Sequence, residues 1–386
     1  MMRPALAYVV NSLNPGGTEK LVVEMALAFN DEYRVAVFCL DEPGHWAGAL
    51  RQRGIEVTCL WRQPGLDVRM PVRLADGLKR MGARIVHAHQ CTPWFYAALA
   101  RLLCSTPRLV LEEHGRFYPE VEHRGRKLVN RLLISNLTHR FVAVSADVKQ
   151  RLARYEGVNA SEIEVIYNGV GPLAPVTADQ REQLRREFGW GNGEFVVGTI
   201  GRFDPIKNLP MLVRAISSSR ARNPRVRGLL IGDGPDMPRI RDLLRESELT
   251  EIVRLTGFRD DVRTLAQCMD LFVLSSVSEG TSMALLEAIQ MGLPVAVTSV
   301  GGNPEIVLAG ETGWTVASGD AESLSEVILE AAADPDRCHR LASAGVRRLE
   351  ERFTFNGMIE RYRKLYHSLL SQPGASPEAL EQIRER

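Results

Sequence analysis

The chain has 386 residues, 45% of them hydrophobic and 25% charged, and its formal net charge is +1. That is too much chain for one ordinary core, so two α/β domains of under about 200 residues each are expected. The small net charge argues against a dedicated nucleic-acid partner. The halves differ slightly, with 22 Lys and Arg against 17 Asp and Glu in residues 1–170, an excess too small to select a polyanion by itself. Six cysteines, Cys39, Cys59, Cys91, Cys104, Cys268 and Cys338, show no CxxC or Cys/His ligand spacing. They read as small apolar residues of a reducing compartment. No apolar run reaches bilayer-spanning length, and MMRPALAYVVNSLNPGG reads as strand and loop rather than signal peptide, so a cytoplasmic location is expected.

In chain order, Leu6–Val10 is a short apolar strand, followed by NSLNPGGTEK and a helical segment LVVEMALAF. This places Gly16 and Gly17 where backbone can approach a phosphate, with Thr18 as the expected N-cap. The loop is not GxGxxG, so a dinucleotide fingerprint is absent, and a plain tight turn remains an equal reading. Strands follow at RVAVFCL, IEVTCL, ARIVHAH, RLVLEEH and RFVAVSA, alternating with helical segments, which implies a parallel doubly wound sheet. Function in such sheets collects at the strands' carboxyl ends. His89 and His114 both sit there, and Gly115 turns the chain directly after His114. A cleft-facing role is expected for His114, while structural and functional readings balance for His89.

Residues 123–140 form a basic amphipathic segment. Leu128, Leu132, Leu133 and Leu137 can share one face, ringed by Arg124, Arg126, Lys127 and Arg131. The preferred reading is a helix packed on the sheet with a solvated basic face; the sharper one is contact with an anionic membrane or a phosphorylated acceptor. IEVIYNGVGPLAP then ends the first half, and TADQREQLRREFGW reads as a polar helix leading into the second.

The second half repeats the strand–loop–helix plan at FVVGTIGRFDPIKNLPMLVRAI. Arg202 and Lys207 flank the turn ahead of a helix starting near Asn208, giving two cations at a strand end, as a diphosphate leaving group needs. Strands ending in Gly232-Asp233-Gly234 and Gly257-Phe258 follow, then the buried strand DLFVLSS. Next, Ser278–Val297 reads as turn, helix, Gly-Pro turn and strand. Backbone N–H groups of Gly280–Ser282 at a helix start suit a phosphate, while Glu279 and Glu287 suit sugar or ribose hydroxyls. These loops are all expected at one sheet edge. Asp260-Asp261 more readily starts a helix than holds a metal. Glu351–Leu370 is expected as a helix with apolar positions at Phe353, Phe355, Met358, Ile359, Tyr362 and Tyr366, and the polar residues after it as a frayed tail.

GRFDPIKN, GDGP, TGF and the E-x7-E stretch before GLPVAVTSVGGNPEIV resemble the retaining GT-B glycosyltransferases of family 4, and NPGGTEK, EEHG and IYNGV fit the same family. The resemblance spans essentially the whole chain. It implies an α/β fold of two Rossmann-like doubly wound domains facing across a cleft, with a C-terminal helix crossing back to the first. The corresponding division is residues 1–170, a linker and leading helix at 171–192, a nucleotide-sugar domain at 193–352, the crossing helix at 353–370 and a tail at 371–386. It further implies that Arg202 and Lys207 hold the donor diphosphate, Glu287 the ribose and Glu279 the hexose. Gly16 and Gly17 would close on the phosphates, His114 would lie near the sugar's reactive face, and backbone around Phe258 and Arg259 would read the base, with His89 and Gly232 counted among the substrate-binding residues. Thr281-Ser282-Met283 replaces the family's usual Gly-containing apolar run and implies a more polar surrounding for the hexose, alongside Gly280.

The expected activity is retaining hexosyl transfer from a UDP- or GDP-sugar to a saccharide or polyprenyl-linked acceptor, as in cell-surface polysaccharide assembly. No cofactor or metal is expected, because side chains already supply the cations. Glu279 and Glu287 do not read as a hydrolase pair, which would flank the scissile bond. Transfer to a soluble acceptor, nucleotide-sugar epimerisation and a non-catalytic sugar-nucleotide scaffold remain the alternatives.

Overall fold

The computed structural model describes residues 3–104, 107–115, 121–173, 176–191 and 193–371. The chain builds two parallel sheets. The first contains β1 (Ala5–Val10), β2 (Arg34–Cys39), β3 (Glu56–Cys59), β4 (Ala83–His89), β5 (Arg108–Glu113), β6 (Arg140–Ala143) and β7 (Ile163–Val165), in the order β3-β2-β1-β4-β5-β6-β7. The second contains β8 (Phe195–Ile200), β9 (Val226–Ile231), β10 (Val253–Leu255), β11 (Leu271–Leu274), β12 (Val295–Thr298) and β13 (Trp314–Val316), in the order β10-β9-β8-β11-β12-β13.

Composition places the strands. β1 is buried at all six positions and β11 at all four, as uninterrupted apolar runs must be when helices cover both faces. Each sheet reverses direction beside its first strand, between β1 and β4 and between β8 and β11. In a doubly wound sheet the chain leaves in opposite senses on either side of such a point and opens a crevice at the carboxyl ends. The loops after β1, β4 and β5 line one crevice, and those after β8, β9 and β11 the other.

The domains share apolar contacts. A single hydrophobic cluster runs from Leu6, Tyr8 and Val10 of the first sheet to Leu274 and Leu286 of the second half and on to Tyr362 and Tyr366. The crossing back is sharp. Val170 N–H donates to Phe353 O and Phe355 N–H to Val170 O, both at 3.0 Å, and Gly169 lies so close to Thr354 that a Cβ would collide with its backbone. The helix Phe355–Ser371 then buries Met358, Ile359, Tyr362, Leu365, Tyr366 and Leu369 against the first domain. Glu305 of the second half accepts from the N–H groups of Ala146 and Asp147 at 2.9 and 3.1 Å, capping the helix Ala146–Glu156 of the first.

Several expectations change. The first helix, Gly17–Phe29, has Gly16 at its N-cap, so Thr18 lies inside it. Residues 351–352 end the preceding helix, Pro335–Arg352; Phe353 is buried at a break, and the crossing helix starts at Phe355. Within 123–140, a helical turn Arg124–Val129 runs into a π turn, Asn130–Ile134, and a short 3-10 turn, Ser135–Leu137. Asn130, Ile134 and Leu137 take the inner face, whereas Leu128, Leu132 and Leu133 face solvent at 57%, 63% and 37% exposure. Of the four leucines expected to pack on the sheet, Leu137 does so and the other three point outward. The buried Glu156 carboxylate, bonded to Asn130 Nδ2 and 3.1 Å from Arg126, anchors Asn130 inward. Of the expected tail, residues 372–386 lie outside the described residues.

Candidate active site

At the carboxyl ends of β8, β9 and β11, loops meet backbone to backbone. A Cβ on Gly232 would collide with Gly201 O, and Phe203 N–H donates to Asp233 O at 2.8 Å, so only glycine fits at Gly232. Asp204 caps the short turn Pro205–Lys207, and Asn208, in a left-handed conformation (φ 46°), starts the helix Leu209–Arg222. This turn aims Lys207 across the crevice, where Nζ donates to Glu279 Oε1 at 2.5 Å. Ser276 Oγ donates to the same oxygen at 2.5 Å, and the Glu279 side chain is only 9% exposed. Arg202, by contrast, is 65% exposed and lies 3.8 Å from Asp204. Lys207 is thus paired to a nearly buried carboxylate while Arg202 stays accessible beside it.

The first domain faces these groups directly. Lys20 bonds Glu287, which also accepts from Arg263 Nη2 at 3.1 Å. Glu19 folds its carboxylate over Gly16 toward Arg202; burial raises its pKa and the Arg202 charge lowers it. A Cβ on Gly17 would stand 3.7 Å from Met283, and one on Gly280 would collide with His114 O. Gly16, Gly17, His114, Gly280 and Met283 therefore share one junction. The Thr281 hydroxyl donates to Val144 O and Ser282 Oγ accepts from Leu285 N–H. The Thr281 hydroxyl is thus spent on the first domain, while Ser282 caps the helix Met283–Gln290.

Behind His114 lies a buried polar cluster. His89 is 1% exposed, so it approaches the crevice only through His114, whose Nε2 is 2.9 Å from His89 Nδ1. Glu112, fully buried, lies 3.1 Å from His87 Nε2, 3.6 Å from His89 Nδ1 and 3.5 Å from His114 Nε2. Burial pushes the Glu112 carboxyl up, but His114, His87 and Tyr362 together outweigh it and hold the group below the usual carboxylate range. Burial also holds His114 below the usual histidine range against the pull of Glu112, with His87 adding to the depression. Glu112 and His114 are thus coupled, the carboxylate held down by its histidines and the imidazole by burial. His87, His89 and Glu112 bring ligand atoms within 4.8 Å of one another. Tyr366 OH bonds His87 Nδ1 and His114 Nε2 faces His89 Nδ1, whereas His87 Nε2, His89 Nε2 and both Glu112 oxygens are buried without a hydrogen-bond partner among the described residues.

Two residues expected around the base lie at the rim. Phe258, 48% exposed, meets His45 of the first domain edge to face, with ring centres 5.6 Å apart. Arg259 is forked onto Asp261 at 2.7 and 2.6 Å, leaving backbone as its contribution to any base contact. Sequence reasoning passed over Glu19, Lys20, Arg263 and Glu112. For Lys20 the signal was the helical step from Gly16-Gly17; for Glu112 it was strand alternation, which puts it on the same face as His114.

Residues 180–348 match the family described as glycosyl transferases group 1, and residues 15–172 the one described as glycosyltransferase family 4. The chain is 24% identical to the N-acetyl-alpha-D-glucosaminyl L-malate synthase of Bacillus anthracis over 315 residues, 81% of each chain. It is 26% identical to the UDP-Gal:alpha-D-GlcNAc-diphosphoundecaprenol alpha-1,3-galactosyltransferase of Escherichia coli, over 81% of this chain and 83% of that one. HepE of Anabaena, solved in complex with UDP-glucose, superposes with a TM-score of 0.85 at 23% identity, covering 94% of this chain and 99% of the other.

Proposed function

The chain belongs to the family-4 glycosyltransferases, two facing GT-B domains, and on that premise we propose that it moves a hexose from a nucleoside-diphosphate sugar to a saccharide or lipid-linked saccharide with retention of anomeric configuration. The observation that carries this reading is the Lys207–Glu279 pair beside the accessible Arg202, facing Gly16, Gly17 and His114 across the crevice. Arg202 and Lys207 take the diphosphate, whose negative charge grows as the anomeric C–O bond breaks. Charge of that kind is matched best by fixed cations in a water-poor site. Their placement also makes a divalent ion unnecessary. Glu279 accepts from a hexose hydroxyl, and Glu287 from the ribose once Lys20 and Arg263 share it.

The acceptor hydroxyl adds to the anomeric carbon on the face the diphosphate leaves, its proton passing to a departing phosphate oxygen. A nucleoside diphosphate and a glycoside of unchanged configuration result. UDP is the nucleotide favoured, from the UDP-glucose complex of HepE and the UDP-galactose donor in the Escherichia coli relative's name, with GDP as the alternative. The two relatives' names differ on the acceptor: malate in one, a diphosphoundecaprenol-linked sugar in the other. The outward face formed by Leu128, Val129, Leu132 and Leu133, among Arg124, Arg126 and Arg131, favours an acceptor held at an anionic membrane and hence cell-surface polysaccharide assembly. The test of retention is the anomeric coupling of the product formed from an α-configured donor, read by proton NMR. An α-linked product is expected; a β-linked product contradicts the proposal.

A further inference from the structure

The carboxylate read above as the ribose seat is already held by the chain itself. Glu287 lies on the helix Met283–Gln290 of the second domain with its side chain only 6% exposed, and one oxygen, Oε1, takes two cations. Arg263 Nη2, from the same domain, donates to it at 3.1 Å. Lys20 Nζ bonds the same oxygen from across the crevice, out of the first domain's helix Gly17–Phe29. A nucleotide reaches a carboxylate so covered only if one of the two cations moves aside.

The two cations differ in how readily they leave. Arg263 Nη2 stands between two carboxylates, 3.1 Å from Glu287 and 3.7 Å from Glu24. Lys20 carries a compact charge on a flexible four-carbon stem, and Glu24 follows it one turn along the same helix. Residues at that i,i+4 spacing are neighbours on a helix surface, so the ammonium can pass from Glu287 to Glu24 and still face a carboxylate. Burial raises the Glu24 carboxyl above the usual range, Lys20 and Arg263 pull it down and Glu287 pushes it up, so a nearer cation is welcome there. Lys20, Glu287, Arg263 and Glu24 thus alternate in sign around a ring, two from each domain, closed on its fourth side by the helical step.

We propose that Lys20 is a displaceable cover on the ribose seat: the ribose hydroxyls take Glu287 as Lys20 passes to Glu24, so the nucleotide and the ion pair between the domains compete for one carboxylate. The proposal rests on the ribose lying at Glu287. A ligand that must first displace an internal group binds with an affinity lowered by the fraction of seats that are covered. Two consequences run opposite to plain electrostatics. A lysine beside a diphosphate attracts it, yet removing Lys20 uncovers the seat and tightens binding. A glutamate there repels it, yet removing Glu24 strands the displaced ammonium and weakens binding.

The experiment is calorimetric titration of the full chain with UDP and with 2′,3′-dideoxy-UDP, in the wild type, Lys20→Met and Glu24→Gln. The Kd for UDP is expected to fall roughly 5- to 30-fold in Lys20→Met, the release of one charge-assisted bond, and to rise roughly 3- to 10-fold in Glu24→Gln. The dideoxy nucleotide has no hydroxyls to take Glu287, so its binding shows no gain in Lys20→Met. A UDP Kd unchanged or raised in Lys20→Met, an equal gain for both nucleotides, or UDP bound by Glu24→Gln as tightly as by the wild type would each overturn the proposal. Dideoxy-UDP bound by Lys20→Met as tightly as UDP would instead take the ribose away from Glu287. Failure of all three proteins to bind UDP or GDP would remove the nucleotide reading itself, and the proposal with it.

Discussion

At the scale of single residues, charge in this protein is handled by pairing or by neutrality. Glu279 and Glu287 are nearly buried, and each holds a cation that a ligand could share or displace. His139 shows the other solution. Leu109 N–H donates to its Nδ1 at 3.1 Å and the Arg101 guanidinium stands 3.3 Å from Nε2, so a second ring proton has no acceptor. Burial, with Arg101, Arg108 and Arg140 adding, pushes this histidine down to about 4. A folded-state value below the unfolded one of about 6.5 means that stability is fully present above pH 6.5 and declines as pH falls toward 4, by roughly 2 kcal/mol after allowance for partial exposure. Urea titrations from pH 7 to 4 should show that decline in the wild type and a flatter profile in His139→Asn; parallel profiles would contradict it. Glu112 was open to discovery at this scale too, since alternation puts it with His114, but EEHG drew attention to the histidine alone.

At the scale of elements, strands and loops were legible and helix orientation was not. Apolar runs such as LAYVV and DLFVL give buried parallel strands almost without alternative, because covered sheets leave no polar face to alternate. The glycines after β8 and β9 announced turns, and their close approach shows why a larger residue fails there. Residues 123–140 were ambiguous for a physical reason. An amphipathic pattern reports that an apolar face exists, not which way it turns, and a π turn around Asn130 shifts the helical register. The outcome leaves Leu132 and Leu133 exposed beside arginines. Each leucine inserted into acyl chains would contribute about 1.5–3 kcal/mol. Sedimentation with phosphatidylglycerol vesicles should retain the wild type and lose most of a Leu132→Asp/Leu133→Asp variant; equal binding by both would remove the membrane reading.

At the scale of the whole molecule, two crevices face each other because one hydrophobic cluster and one C-terminal helix join the domains. The two-domain plan was legible from chain length and from the repeated strand–loop–helix pattern. The break at Phe353 was not, because a helical apolar pattern continues through it, and only the pairing of Val170 with residues on either side of Thr354 fixes the bend. The cross-domain contacts of Lys20, Glu19 and His45 were equally hidden, since no local pattern reports what a facing domain brings. The facing arrangement supports the proposal that Arg202 and Lys207, rather than a metal ion, carry the charge of the leaving diphosphate. The direct measurement is nucleoside diphosphate release from the best donor of a UDP- and GDP-sugar panel, in excess EDTA, by the wild type and Lys207→Ala. Undiminished wild-type turnover and a loss of roughly 100- to 1000-fold in the variant are predicted; turnover abolished by EDTA, or near-normal release by Lys207→Ala, would contradict the account.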